Sequence, residues 1–140
     1  MNRDELKTVL IHREPMLLVD ESVADGDTTY SSYNVRGDEF FLQGHFPGRP
    51  VVPGVILCEM MAQSSALLMP SALEGKCPMY AGMDGVKFKK VVVPGDTVNI
   101  KAKLLLHRGP LFVVDAEASV EGHMCASGKL TFMVVDKESK

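Results

Sequence analysis

Apolar and polar positions alternate most regularly in the second half of the chain. Val98, Ile100, Ala102 and Leu104 alternate with Asn99, Lys101 and Lys103, which predicts a half-buried strand over Thr97–Leu106. Leu111–Val120 and Cys125–Val135 read as further strands, with turns at Arg108-Gly109-Pro110 and Glu121-Gly122. Pro94-Gly95-Asp96 separates Thr97–Leu106 from a strand at Val86–Val93, and Met79–Met83 precedes that. Towards the start, Met16–Ala24 and Thr28–Val35 read as two strands around the turn Asp25-Gly26-Asp27. Phe40-Phe41-Leu42 is a short apolar run. Asn2 caps a predicted short helix across Asp4–Ile11, with Asp4 and Glu5 in the first turn, where the helix dipole favours them. Leu6, Val9 and Leu10 share one face of it, and Pro15 ends the element.

Val55–Met69, VILCEMMAQSSALLM, has a different character. It contains strong helix formers, no Gly or Pro, and Pro70 as its stop, which predicts a helix of about 22 Å. Val55, Ile56, Leu57, Met60, Met61, Ala62, Ala66, Leu67, Leu68 and Met69 point in nearly every direction, so the helix is expected to be buried rather than laid on a surface. A loop, Pro70–Pro78, follows. Consecutive strands with tight turns make an antiparallel sheet. The expected fold is α+β, one long buried helix wrapped by an antiparallel sheet. Residues 1–140 read as a single domain, without repeat, linker or low-complexity segment.

Composition narrows the function classes. A chain of 140 residues, 46% hydrophobic and 24% charged, can bury a core without disulfides, and its apolar content argues against disorder. Fifteen Lys and Arg against eighteen Asp and Glu give a net charge of −3, which argues against broad nucleic-acid binding. The three cysteines, Cys58, Cys77 and Cys125, show no CxxC spacing and suggest a reducing, cytoplasmic setting. No stretch approaches the roughly 18 apolar residues of a membrane span. The first fifteen residues lack an apolar signal core.

Candidate chemistry gathers around the helix. GHFPGRPVVPG, residues 44–54, holds three Gly and three Pro in eleven residues and predicts a loop held in one conformation. His45 lies in it, positioned as a proton-transfer group requires; the alternative is a histidine that only packs the loop. Glu59 is the one charged residue of the helix. Burial raises a carboxyl's pKa, so Glu59 is expected to hold a proton and act as a general acid; the alternative is a structural carboxylate reaching solvent. Gln63, one turn on, is expected to orient it. The amides of Gly54 and Val55 at the helix start lack intrahelical acceptors and suit an oxyanion, unless Gly54 serves only the turn. His12, His107 and His123 carry no partner signal, and no pair has metal-ligand spacing. Ser64 and Ser65 lack a nucleophile setting, Cys58 reads as core, and no phosphate-binding glycine motif is present. Base, acid and oxyanion donors converge on proton abstraction next to a carbonyl.

GHFPGRPVVPG followed by VILCEMMAQ, with HREPMLLVD before and YAGMDGVKFKKVVVPGD after, resembles the 3-hydroxyacyl-acyl-carrier-protein dehydratases of FabZ type in bacterial type II fatty acid synthesis. The resemblance covers almost the whole chain. Val91 departs from the proline common in the family's second motif. The resemblance implies a hot-dog fold and a homodimer with two sites at its interface, often assembled into a trimer of dimers. It implies that His45 of one subunit faces Glu59 of the other and that the oxyanion-binding amide lies near Gly54. The acid being Glu59 rather than Asp favours the FabZ type over the dehydratase–isomerase type.

The implied reaction converts (3R)-3-hydroxyacyl-carrier protein into the trans-2-enoyl thioester. The substrate rides on the carrier's phosphopantetheine arm, and no cofactor is consumed. His45 takes the α-proton and Glu59 protonates the departing hydroxyl. Acyl carrier protein is acidic, and Lys87, Lys89 and Lys90 form the densest basic cluster to meet it, although they also fit a solvated strand face. The same fold admits a dehydratase–isomerase, an acyl-CoA hydratase or thioesterase, and a non-catalytic acyl-binding protein. Intact His45 and Glu59 argue against the last.

Overall fold

The computed structural model describes residues 1–69 and 75–136. Six strands form one antiparallel sheet: β1 (Glu21–Asp25), β2 (Thr28–Asn34), β3 (Lys76–Phe88), β4 (Thr97–Arg108), β5 (Leu111–Val120) and β6 (His123–Asp136). Their order is β1-β2-β4-β5-β6-β3, so β3 lies at an edge beside the last strand. Helix α2 (Gly54–Ser64) packs against one face, touching β2, β4, β5 and β6. The fold is α+β, as expected.

The period-2 pattern holds where it is clearest. In β4, Val98, Ile100 and Ala102 are buried while Asn99, Lys101 and Lys103 are exposed. These residues meet Phe112, Val114 and Ala116 of β5, Leu130 and Phe132 of β6, and Leu57, Met60 and Met61 of α2 in one core. Fully burying a side chain such as Met60 contributes about 1.5–3 kcal/mol.

Helix α2 is shorter than expected. Eleven residues are α-helical, and Ser65–Leu68 continue as a 3-10 turn. The hydroxyls of Ser64 and Ser65 donate back to the carbonyls of Met60 and Met61 at 2.7 and 2.9 Å, a bonding that bends helices. Thr29 of β2 donates to the Ser64 carbonyl at 2.8 Å. The helix is not covered all round either: Val55 in its first turn is 73% exposed.

Four other expectations are corrected. Helix α1 covers only Arg3–Leu6, although its Asn2–Glu5 capping box is present. Arg13 gathers the carbonyls of Lys7, Leu10 and His12 beyond it, holding the following segment as a turn. Met16–Val19 is not strand. Leu17, Leu18 and Val19 are buried, and the Gln63 side chain takes up the Leu18 amide and the Met16 carbonyl that a sheet neighbour would otherwise use. Met79–Met83 and part of Val86–Val93 form one strand, β3, because Gly85-Val86 is a bulge opposite Gly128 and not a break in the sheet. Val92 lies beyond β3, and its carbonyl accepts from the Val52 amide at 2.8 Å. Of the expected loop Pro70–Pro78, residues 70–74 lie outside the described residues and Lys76–Pro78 belong to β3.

Candidate active site

The loop after the 3-10 turn Phe40–Leu42 fixes His45 through its own backbone. The His45 amide donates to Leu42 at 3.2 Å, and its carbonyl accepts from Val51 at 2.8 Å. Phe46 and Arg49 exchange two hydrogen bonds across a turn where Gly48 adopts φ +73°, a conformation glycine reaches without a steric cost. Val52 then ties the loop to Val92. The constrained loop read from its glycines and prolines is therefore present, with named bonds.

The ring of His45 is held too. Nδ1 lies 3.1 Å from the Val51 carbonyl, and the Phe46 ring stacks on the imidazole at 4.4 Å. A carbonyl only accepts, so the Nδ1–H tautomer satisfies this bond. Nε2 keeps its lone pair, which makes it the basic atom.

Glu59 sits in the second turn of α2, partly buried. Two side chains reach its Oε2: Gln63 donates at 3.0 Å, and His12 Nε2 lies at 3.2 Å. Among the described residues no hydrogen bond reaches Oε1. Gln63 is 2% exposed and is fixed by its other bonds, accepting from Leu18 at 2.8 Å and donating to Met16 at 2.7 Å. Gln63 thus ties the backbone of Met16 and Leu18 to the carboxyl of Glu59. The expected raised pKa of Glu59 is corrected. Burial pushes the carboxyl up, but the hydrogen bonds from His12 and Gln63 and the positive charge of a protonated His12 outweigh it and hold Glu59 below the usual carboxylate range.

The helix start is open. Pro53 occupies the cap position and has no side-chain oxygen to offer, and among the described residues the Gly54 and Val55 amides donate to no backbone carbonyl. Phe88 of β3 lies against Gly54. Lys87, Lys89 and Lys90 flank Phe88 and are exposed. Within one chain His45 makes no hydrogen bond or ion pair to Glu59. The chain brings together Glu59, Gln63 and His12, and His45 is bonded to none of them.

Two residues here escape sequence reasoning. His12 reads as a histidine near a helix end, and its signal is its place in HREPMLLVD, just ahead of the segment that Gln63 anchors. Tyr80 of β3 donates its hydroxyl to the Cys58 carbonyl at 2.7 Å, joining the edge strand to the turn that carries Glu59. Cys58, Cys77 and Cys125 are free thiols. Among the described residues no helix is long and apolar enough to cross a membrane, and no three His, Cys, Asp or Glu side chains gather as a metal site would require.

Known proteins resemble this chain. Residues 21–129 match the ApeI-like family, described as ApeI dehydratase. The chain is 48% identical over 136 residues to the 3-hydroxyacyl-[acyl-carrier-protein] dehydratase FabZ of Lactococcus lactis subsp. cremoris, covering 94% of each. It is 48% identical over 133 residues to the FabZ of Streptococcus pneumoniae, covering 93% of this chain and 95% of that one. Among solved structures, the dehydratase heterocomplex ApeI:P from Xenorhabdus doucetiae shares the fold with a TM-score of 0.81 at 22% identity, covering 94% of this chain and 91% of that one. A hypothetical thioesterase with coenzyme A from Streptococcus pneumoniae shares it at 0.64 and 17% identity, covering 85% and 88%. With nearly half its residues identical across nearly its whole length, the chain belongs to the FabZ-type family of 3-hydroxyacyl-[acyl-carrier-protein] dehydratases, enzymes of the hydro-lyase class.

Proposed function

We propose that this enzyme dehydrates (3R)-3-hydroxyacyl-carrier protein to the trans-2-enoyl thioester in cytoplasmic fatty acid synthesis, at two sites built across a homodimer of hot-dog subunits. One observation carries the division of labour. His45 is anchored through Nδ1, leaving Nε2 basic, and Glu59 is anchored through Oε2, leaving Oε1 without a hydrogen-bond partner among the described residues. Each group has one fixed side and one working side.

In this mechanism Nε2 of His45 in one subunit takes the α-proton. The C–H electron pair becomes the new C=C bond as the C3–O bond breaks. Charge developing on the thioester oxygen meets the Gly54 and Val55 amides at the positive end of α2. Oε1 of Glu59 in the other subunit protonates the departing hydroxyl, and water leaves. The enzyme resets when the proton on His45 is lost and Glu59 regains one, so no electron carrier is needed. In the single chain the bonds from His12 and Gln63 hold the Glu59 carboxyl low. A partner subunit and an acyl chain closing over it add burial, the one influence that raises it, and so supply the protonated acid in the loaded site.

The edge strand supports the dimer. None of the thirteen residues of β3 is buried, and Met79, Met83 and Phe88 are about half exposed, an apolar edge that a second copy would cover. Assembly of three such dimers follows the family pattern. The exposed Lys87, Lys89 and Lys90 beside Phe88 place positive charge near the open helix start, where an acidic carrier would deliver the thioester.

The test is enoyl absorbance with 3-hydroxybutyryl-carrier protein. His45→Ala and Glu59→Gln are each expected to lower turnover by at least about a hundredfold while the fold persists. Near-wild-type turnover in either variant would overturn the assignment.

A further inference from the structure

His12 lies outside the pair that the family resemblance identifies, yet it contacts the acid directly. It follows α1 on a segment fixed from both sides. Leu10 is 3% exposed in the core, and the Arg13 guanidinium donates to the carbonyls of Leu10 and His12 at 2.9 and 2.7 Å. The ring is thereby delivered to Glu59 from a direction that α2 does not supply. Nε2 lies 3.2 Å from Oε2, the oxygen that Gln63 also reaches. Nδ1 is buried and has no hydrogen-bond partner among the described residues. The ring's polar contact with the protein thus runs through Nε2 alone, and the tautomer bearing Nε2–H is the one that bonds the carboxyl.

We propose that His12 is a positioning residue for the acid: with Gln63 it holds Oε2, turns Oε1 toward the substrate hydroxyl, and stabilises the carboxylate that remains once Glu59 has given up its proton. This rests on the reading of Glu59 as the acid. Donors on Oε2 favour the ionised product of proton transfer, where a charge-assisted bond is roughly twice as strong as a neutral one. Their combined pull outweighs burial at this carboxyl. The other titratable groups around Glu59 do not compete. Burial pushes the Tyr80 phenol and the Cys58 thiol up, and the Glu59 charge adds to both, so each stays neutral. The Arg13 guanidinium is occupied by backbone carbonyls.

The experiment uses the full-length enzyme with 3-hydroxybutyryl-carrier protein, and follows Glu59 ionisation by NMR of its 13C-labelled carboxyl. His12→Phe fills the ring's space without a donor, and His12→Gln keeps a neutral N–H. In His12→Phe, the Glu59 ionisation and the pH profile of kcat are expected to move together to higher pH, with kcat down about tenfold, the scale of one lost hydrogen bond to a charged group. His12→Gln is expected to recover most of kcat, with its Glu59 ionisation between those of the wild type and His12→Phe. A uniform loss of activity with Glu59 ionisation unmoved, or equal kcat in the two variants, would overturn the role of His12. If His12→Phe does not fold, His12→Gln decides: an unmoved Glu59 ionisation overturns the proposal. Glu59→Gln is assayed alongside. Should it stay active, the acid assignment itself falls; should it be inactive while the His12 variants titrate like wild type, only the role of His12 falls.

Discussion

Gly54 faces Phe88 so closely that a Cβ on it would stand 2.9 Å from the ring. The helix start that carries the candidate oxyanion amides is thus packed directly against the edge strand. Gly54→Ala must push the ring aside, but Phe88 is 54% exposed and the conflicting atoms are its outer ring carbons, so the ring can swing away at little cost to stability. The gain in helix propensity offsets part of that cost, and Tm is expected to change little. The displaced ring is expected to disturb the helix start, so kcat/KM should fall. Phe88→Ala in the same chain should recover kcat/KM, since it removes the atoms in conflict. An unchanged kcat/KM in the single variant would contradict the contact.

Mixing inactive subunits tests whether the site is shared. His45→Ala and Glu59→Gln chains are unfolded together one to one and refolded. About half the dimers are then mixed by random pairing, and each mixed dimer has one site with both lesions and one with neither. Activity is expected to return to about one quarter of wild type. A mixture that demonstrably exchanges subunits yet stays inactive would place each site within one chain.

Charge reversal at Lys89 and Lys90 probes the carrier. Both residues are exposed, so the double change to Glu should leave the core intact. The expected result is a higher KM for carrier-linked substrate than for a short pantetheine thioester, with the difference shrinking as salt rises. Equal effects on both substrates would remove these lysines from the docking surface.

Asp20 gives the stability of the N-terminal segment a pH window. It accepts from Arg3 at 2.8 Å, Arg36 at 2.7 Å and the Asn34 amide at 2.7 Å. Burial pushes its carboxyl up, but these donors outweigh it and hold it below the ordinary value of 3.8. A depressed folded-state pKa contributes stability above the unfolded value, and that contribution is lost as pH falls through the folded value. Asp20→Asn is therefore expected to cost about 2 kcal/mol in urea unfolding at pH 7, where charged hydrogen bonds are intact. The gap to wild type should narrow below about pH 4, around the unfolded value. A gap that stays constant across that window would mean that the carboxylate charge is not what stabilises the segment.

Much of this was legible in the residues. The alternation around Val98–Leu104 reads directly as a strand because one face of β4 is buried and the other wet. His45 and Glu59 are conspicuous because each sits where its neighbours give no other reason for it. The failures share a cause in partners distant along the chain. Met16–Val19 reads as strand by its apolar run, yet its polar backbone is served by a side chain 45 to 47 positions on. Met79–Met83 and Val86–Val93 read as two strands because Gly85, at the bulge, interrupts the apolar pattern. The Glu59 pKa follows burial until His12 enters, and His12 is brought there by a turn that Arg13 organises. Local pattern carries periods and breaks; it does not carry which side chain crosses the core to meet them.

The placement of β3 has a consequence for synthesis. Its one neighbour in the sheet is β6, the last strand among the described residues. A growing chain therefore displays an unpaired apolar strand until residues 123–136 have left the ribosome, a wait of seconds at about 5–20 residues per second. Over that interval Met79, Met83 and Phe88 are available to any neighbouring nascent chain or chaperone. Chains halted before His123 are expected to aggregate or to be captured by chaperone, while the finished chain is not, because pairing with β6 closes one side of the strand.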